Sequence, residues 1–271
     1  LTDDEINAIS NPEWIIDNLI ISGHITLIPA EPNGGKTTIM AHLAGQMVAN
    51  GYDVNYVNSD ISGGDSKSMY EQSKQMGYKL LLPDMHVGLS IKGVVQRLEE
   101  MADLNINLDK TVFIFDTLKK LINVINKVQA KELFQVLRKL TSRGMTIILL
   151  AHTNKYTDND GNPIYEGTAD MRADVDELIY LVPQKHPDGS MTVTTKPNKV
   201  RGPFEPITFN IDANRNVSLA NQAVDTTLAN QVQKEMSDDE QAIDAIKSAI
   251  QSGASTQKEV IESCADVGIG E

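Results

Sequence analysis

Residues 24–38 read HITLIPAEPNGGKTT. A β-branched apolar run passes into a glycine-rich turn ending in Gly35-Lys36-Thr37, and residues 39–50 continue with helical periodicity. Strand, turn and helix in that order predict a phosphate-binding loop. Backbone N–H groups of the turn and the free amides of the helix N-terminus form a concave anion site. Its expected lining is Glu31, Pro32, Asn33, Gly34, Gly35, Lys36, Thr37 and Thr38. Lys36 supplies a point charge to the β- and γ-phosphates of ATP, and the Thr37 hydroxyl is placed to hold Mg²⁺. The pattern G-x-x-x-x-G-K-[ST] is met except at its first position, where Ala30 stands for glycine. Alanine there predicts either a negative φ or a small local strain.

Outward from this loop, residues 54–58, 111–115 and 145–150 are short, continuously apolar strands, and 65–76, 91–104 and 127–142 read as helices. That alternation predicts an α/β fold with a mostly parallel twisted sheet flanked by helices. Beyond residue 176 the pattern changes. Residues 178–182, 191–195 and 207–211 are strands joined by tight turns such as Pro187-Asp188-Gly189, so antiparallel strands are expected at one edge. The expected organisation is an acidic lead over 1–11, an ATPase domain over 12–216, a polar linker over 217–236 and a small helical piece over 237–271. In that last piece Ser237, with Glu240 three residues on, is the expected N-cap of a helix over 237–252. Ser255 is expected to cap a second helix over 255–265.

The composition supports one sizeable core, with 41% hydrophobic residues in a chain of 271. No apolar stretch approaches the ~18 residues of a membrane-spanning helix, and no membrane partner is expected. A single cysteine, Cys264, excludes an internal disulfide and fits a reducing cytoplasm; it reads as a small buried hydrophobe. The chain starts at Leu1 and stops in mid-pattern, so it reads as a piece of something longer. The net charge of −13 sits at the ends: −5 on residues 1–23, −7 on 221–271 and −1 on the residues between. A near-neutral middle can present basic loops to a phosphate backbone, so charge neither proves nor forbids nucleic acid binding.

Asp116 follows Val112-Phe113-Ile114-Phe115 and stands at the C-terminal end of a buried strand expected to lie next to the P-loop strand. Ligands bind at that end of open α/β sheets, and the role expected of Asp116 is to support Mg²⁺ with Thr37. Asp60, two residues past the 54–58 strand, either orients water for attack on the γ-phosphate or caps the following turn with Ser62. His152, after the 145–150 strand, is either a γ-phosphate contact or a structural histidine. Residues 156–168 are polar and rich in turn formers, a functional loop or a surface connection. Lys196, Lys199 and Arg201 are either plain surface or cations that reach a neighbouring subunit's γ-phosphate. Trp14 reads as a core or lid anchor.

Taken in order, Trp14, the P-loop, Asp60, Asp116-Thr117-Leu118, His152-Thr153-Asn154-Lys155 and Lys199-Val200-Arg201-Gly202-Pro203 resemble the RecA-like P-loop ATPases. The chain is most similar to the RepA-type and DnaB-type hexameric replicative helicases of phage and plasmid replication proteins, over roughly residues 12–212. The resemblance implies a homo-hexameric ring with ATP between subunits and single-stranded DNA in the channel. It implies Lys36, Asp60, Asp116, His152, Lys199 and Arg201 as catalytic residues and Thr37 with Asp116 at the metal. Lys119, Lys120, Lys127, Lys155 and Arg172 become DNA-loop candidates. Asp60 stands where that family carries glutamate. The tail resembles the first two helices of a winged-helix module, with a docking or autoregulatory role and other replication proteins as partners. The function implied is an ATP-driven helicase or translocase; its rivals are a regulatory or loading ATPase without unwinding and a non-hydrolysing nucleotide-binding ring.

Overall fold

A computed structural model describes residues 13–266 apart from 84, 86–88, 105, 122–126, 158–162 and 166–168. The acidic lead over 1–11, the Asp158–Asn162 turn and the end of the tail after 266 therefore lie outside the described residues. The chain divides into two compact units, Leu1–Val224 and Asp225–Glu271.

The first unit opens with a two-stranded ladder, β1 (Trp14–Ile16) and β2 (Ile20–Ile21). Trp14, half-buried, packs edge-on against Phe204, ring centres 4.6 Å apart. Next come β3 (Ile25–Ala30), α1 (Lys36–Ala49), β4 (Asp53–Asn58), α2 (Gly63–Met76) and β5 (Lys79–Leu81). Then follow α3 (Ile91–Asp103), β6 (Thr111–Asp116), α4 (Leu118–Leu121), α5 (Lys127–Thr141), β7 (Thr146–Thr157), β8 (Pro163–Tyr165) and α6 (Ala169–Asp174). The unit closes with β9 (Glu177–Lys185), β10 (Met191–Lys199), β11 (Thr208–Ile211) and β12 (Val217–Leu219).

Ten strands form one sheet in the order β12-β11-β10-β9-β3-β7-β6-β4-β5, with β8 paired to β7. From β9 to β5 every neighbour is parallel; β10, β11 and β12 extend the other edge antiparallel. This is the RecA-like P-loop architecture the sequence predicts, with one correction of neighbours. The Asp116 strand does not adjoin the P-loop strand, because β7 lies between them. All six residues of β3 are buried, as a strand covered on both faces requires. The two-residue period sorts its side chains. Ile28 and Ala30 join a core with Ile39, Leu43 and Met47 of α1. Ile25 and Leu27 join another with Leu98 of α3 and Leu133, Leu137 and Leu140 of α5. Each such aliphatic side chain contributes roughly 1.5–3 kcal/mol on burial. Two filled layers thereby hold the C-terminal ends of β3, β7, β6 and β4 at one edge, where the site lies.

Four expectations fail. β7 runs on to Thr157 through polar residues expected to leave the sheet, because it pairs antiparallel with β8 (Thr153 opposite Tyr165) and so satisfies its backbone. The polar linker over 217–236 is instead β12 followed by the start of α7 (Thr226–Gln251). Asp225, whose side chain accepts from the Leu228 N–H at 3.0 Å, caps α7, so Ser237 lies in mid-helix. The last helix, α8 (Gln257–Asp266), begins after a reciprocal capping box of Thr256 and Glu259 rather than at Ser255. In this second unit α7 and α8 pack together and Cys264 is buried. Among the described residues no helix is long and apolar enough to cross a membrane.

Candidate nucleotide site

The P-loop leaves β3 at Ala30, which is buried inside the strand opposite His152 of β7. Ala30 is not among the positive-φ residues, so the alternative of local strain at the missing glycine does not arise. The turn proper places its left-handed residues later, at Asn33 (φ 58°) and Gly35 (φ 78°). Gly35 is fixed twice over. Its φ favours glycine, and a Cβ there would lie 2.5 Å from Ile211 Cδ1 on β11. Gly35 caps α1 without a side-chain hydrogen bond, which leaves the first-turn amides of that helix to an anion.

Asp116 is the hub beneath the turn, 2% exposed. Its Oδ1 lies 3.2 Å from Lys36 Nζ, and its Oδ2 accepts from the Thr37 hydroxyl at 2.7 Å and the Tyr56 hydroxyl at 3.0 Å. Burial first, and then the Asp116 carboxylate, push the Tyr56 phenol well above its ordinary value, so it stays a donor. Thr37 and Asp116 thus bring a hydroxyl and a carboxylate oxygen within hydrogen-bond distance, beside a glycine cradle that a Cβ would fill. Hard oxygen donors of this kind fit Mg²⁺, which would neutralise charge on bound phosphate oxygens. Among the described residues no cluster of three or more His, Cys, Asp or Glu side chains offers another metal site.

Asp60 and His152 meet on the far wall, His152 Nε2 standing 3.6 Å from Asp60 Oδ2. Asp60 is not the cap of the next turn: Ser62 caps α2, and the Asp60 N–H is held by Asn58 Oδ1 at 2.9 Å. His152 Nδ1 is buried without a hydrogen-bond partner among the described residues. The resulting cleft, about 440 Å³, is lined by all eight P-loop residues expected from the sequence together with Asp60, Asp116 and His152. Asn58, Ile61, Asp65 and Arg215 complete it. Arg215 comes from a tight turn in which Asp212 Oδ1 accepts from the Asn216 N–H at 2.8 Å. The Asp212-Ala213-Asn214-Arg215-Asn216 run is legible as a turn, but which cleft it faces depends on the strand order.

Lys199 and Arg201 lie elsewhere: Lys199 pairs with Leu178 of β9, level with Leu27, and Arg201 reaches Asp176 beside Ile25, about 17 Å from Ala30 at ~3.3 Å per strand residue. Lys199 Nζ donates to the carbonyls of Arg172, Ala173 and Val175 at 2.7, 3.0 and 2.6 Å, and so closes the C-terminus of α6 instead of projecting as a free cation. Burial first, and then the Arg201 charge, lower its pKa. Arg201 Nε sits 3.1 Å from the buried Asp176, which also binds Arg138 at 2.7 Å and the Ile25 N–H at 2.9 Å. Of the DNA-loop candidates, Lys119 and Lys120 are exposed on α4 and Arg172 is exposed on α6. Lys127 starts α5 and Lys155 lies in β7, but their side chains fall outside the described residues.

A family model described as "AAA domain" matches residues 1–158, more than half of the chain. No curated protein sequence matches it. Among solved structures it is similar to the flagellar accessory protein FlaH from Methanocaldococcus jannaschii, with a TM-score of 0.52 and 18% identity. That likeness covers 75% of this chain and 92% of the other and concerns the fold alone.

Proposed function

The chain belongs to the AAA domain family, and on that premise we propose that it hydrolyses ATP as the motor domain of a ring-forming DNA helicase or translocase of replication. One observation carries the hydrolytic part: the Asp60–His152 pair faces the cleft in which Lys36, Thr37 and Asp116 are already bonded to one another. Lys36 and the amides at the start of α1 bind the phosphates. Asp60 orients a water and takes its proton, and His152 couples the γ-phosphate to β7. Asp116, oriented by Thr37 and Tyr56, holds the metal side of the site. The motor part is supported by the His-Thr-Asn-Lys and Lys-x-Arg-Gly-Pro blocks and by exposed Lys119 and Lys120 on α4, Lys120 Nζ standing 4.0 Å from Asp60.

Arg201 is proposed to serve the neighbouring subunit, with Lys199 fixing the turn that carries it. The Arg201–Asp176 pair favours a second reading, a regulatory or loading ATPase, because a finger acting in trans must leave that partner.

The test is ATP turnover with and without a single-stranded oligonucleotide, together with the light-scattering mass. Turnover raised several-fold by the oligonucleotide in a hexamer supports the motor. Turnover indifferent to it favours the regulatory ATPase, and nucleotide binding without turnover rejects both. Lys36→Ala should abolish turnover; full activity in that variant rejects the site.

A further inference from the structure

The second unit is built on α7, and much of that helix has no cover. From 231 to 241 every residue is exposed, about three turns without a packed face. Such a stretch is marginal in water by itself. It is not evenly polar. Met236, Asp239, Ile243, Ile246 and Ile250 follow one another at intervals of three, four, three and four residues, the spacing of a seam that meets another helix. The four apolar members are 42–68% exposed. The two flanks of this seam differ. Ala242 and Ala249 stand on one side, half-buried and buried, and α8 packs on this helix. Glu240 and Lys247 stand on the other side, both exposed. Lys247 Nζ lies 3.4 Å from Asp244 of its own helix, an exposed pair of the kind that contributes little.

We infer that this seam binds the same seam of a second copy of the chain, antiparallel, about a two-fold axis level with Asp244 and Ala245. Charge selects both the occupant and the direction. In that register Ile243 of one copy lies level with Ile246 of the other, and the symmetry makes the contact twice. Lys247 of each copy comes within side-chain reach of Asp239 and Glu240 of the other, on the flank that α8 leaves open. A parallel pair would instead set Asp239 against Asp239 inside the seam. An antiparallel pair shifted by one heptad toward the N-terminus would set Glu240 against Glu240. Each alternative brings like charges together beside an apolar seam, where they are least screened. A basic amphipathic helix from another protein would satisfy the two acids and leave Lys247 facing its own kind. The second copy answers every charge on this face. The inference is independent of whether the first unit hydrolyses ATP.

The experiment uses the full chain, without nucleotide, as an equal mixture of isotope-labelled and unlabelled protein treated with a carbodiimide. That reagent joins a lysine directly to a carboxylate it already touches, and mass spectrometry of the digest separates links between copies from links within one. Amide links from Lys247 to Asp239 or Glu240 are expected in label-mixed pairs. Ile243→Lys places a charge at the centre of the seam and should reduce those links at least tenfold while far-UV helicity is kept. The charge-swapped double variant Glu240→Lys/Lys247→Glu preserves the complementarity and should keep a link between positions 240 and 247 of different copies, within about twofold of the parent yield. Absence of mixed links in the parent would overturn the inference, and so would undiminished links in a helical Ile243→Lys. Should Ile243→Lys lose its helicity, the parent and the charge-swapped variant decide: loss of the link on swapping the charges overturns the register.

Discussion

The Tyr56 hydroxyl donates to Asp116 Oδ2 at 3.0 Å from the neighbouring strand, on the same oxygen that takes the Thr37 hydroxyl. Both side chains are buried, and β4 and β6 are in register with Tyr56 opposite Ile114 and Asn58 opposite Asp116. The carboxylate is therefore oriented by a strand, a helix start and an ammonium, and its direction does not depend on a bound ligand. Such a fixed acid suits a site that must recover the same geometry after every turnover.

Tyr56→Phe tests that orientation. It keeps the ring beside Tyr78, at 5.8 Å between centres, and removes only the donor. A hydrogen bond to a charged acceptor contributes about 1.5–3 kcal/mol, and Lys36 and Thr37 keep Asp116 partly satisfied, so a loss of about 1–2 kcal/mol is expected. The measurement is the urea midpoint at constant slope. An unchanged midpoint would show that the phenol does nothing for Asp116.

Gly35→Ala should be far worse than an ordinary glycine replacement. The left-handed backbone alone costs roughly 1–2 kcal/mol for a residue with a Cβ, and Ile211 Cδ1 lies 2.5 Å from where that Cβ would stand. Ile211→Val removes the δ-carbon and not the backbone cost. The double variant should therefore recover part of the stability and phosphate binding lost in Gly35→Ala. Additive losses in the two single variants would refute the contact.

How much of this site could be read from the chain follows the range of each interaction. The P-loop, Asp116 and α1 are legible because their signals are local: an apolar run, a glycine turn and a helical period within 15 residues. Ala30 reads as a departure from the pattern only while the strand is taken to end before it. Arg215 and Tyr56 were not legible as site residues, since both reach the cleft through strand order. The helix over 226–251 was hidden by Asn and Thr, whose helix propensity is only a few tenths of a kcal/mol below that of the better formers, Gln among them. Asp225 and tertiary contacts decide it. Lys199 shows the reverse error, a cation in a turn that looks available and is taken up by the carbonyls of α6.

Asp60→Asn should lower kcat by about 10²-fold or more and leave ATP affinity within a few-fold, because a general base contributes 10²–10⁴ to rate and little to binding. His152→Ala should cost less, since it removes a partner of Asp60 rather than the base. Turnover and fluorescent-nucleotide binding separate the two effects. Loss of binding in Asp60→Asn would make it a structural carboxylate.

Arg201→Ala bears on the oligomeric mechanism. If Arg201 stabilises charge in a neighbour's site, hydrolysis should fall by roughly 10³-fold. A rate within twofold of the parent would leave Arg201 as a partner of Asp176 and nothing more.

Asp176 gives the fold a defined acid limb. Burial by itself raises the pKa of its carboxyl. The hydrogen bonds from Arg138 and the Ile25 N–H, and the charges of Arg138 and Arg201, outweigh burial and hold it below the ordinary value. A carboxyl more acidic in the folded chain than in the unfolded one stabilises the fold fully above its unfolded value, ~3.9 for an aspartate. That stability is lost as pH falls through the lower folded value. Asp176→Asn keeps the shape and removes the charge, and it should lower stability at pH 7 by about 2 kcal/mol, typical for a hydrogen bond to a charged group. The gap between parent and variant, followed by urea unfolding, should stay constant from pH 7 to about 5 and close progressively below about 4. A gap that does not change with pH would mean that the cluster at this end of β3 acts through packing, and that the paired charges of Asp176, Arg138 and Arg201 add nothing to it.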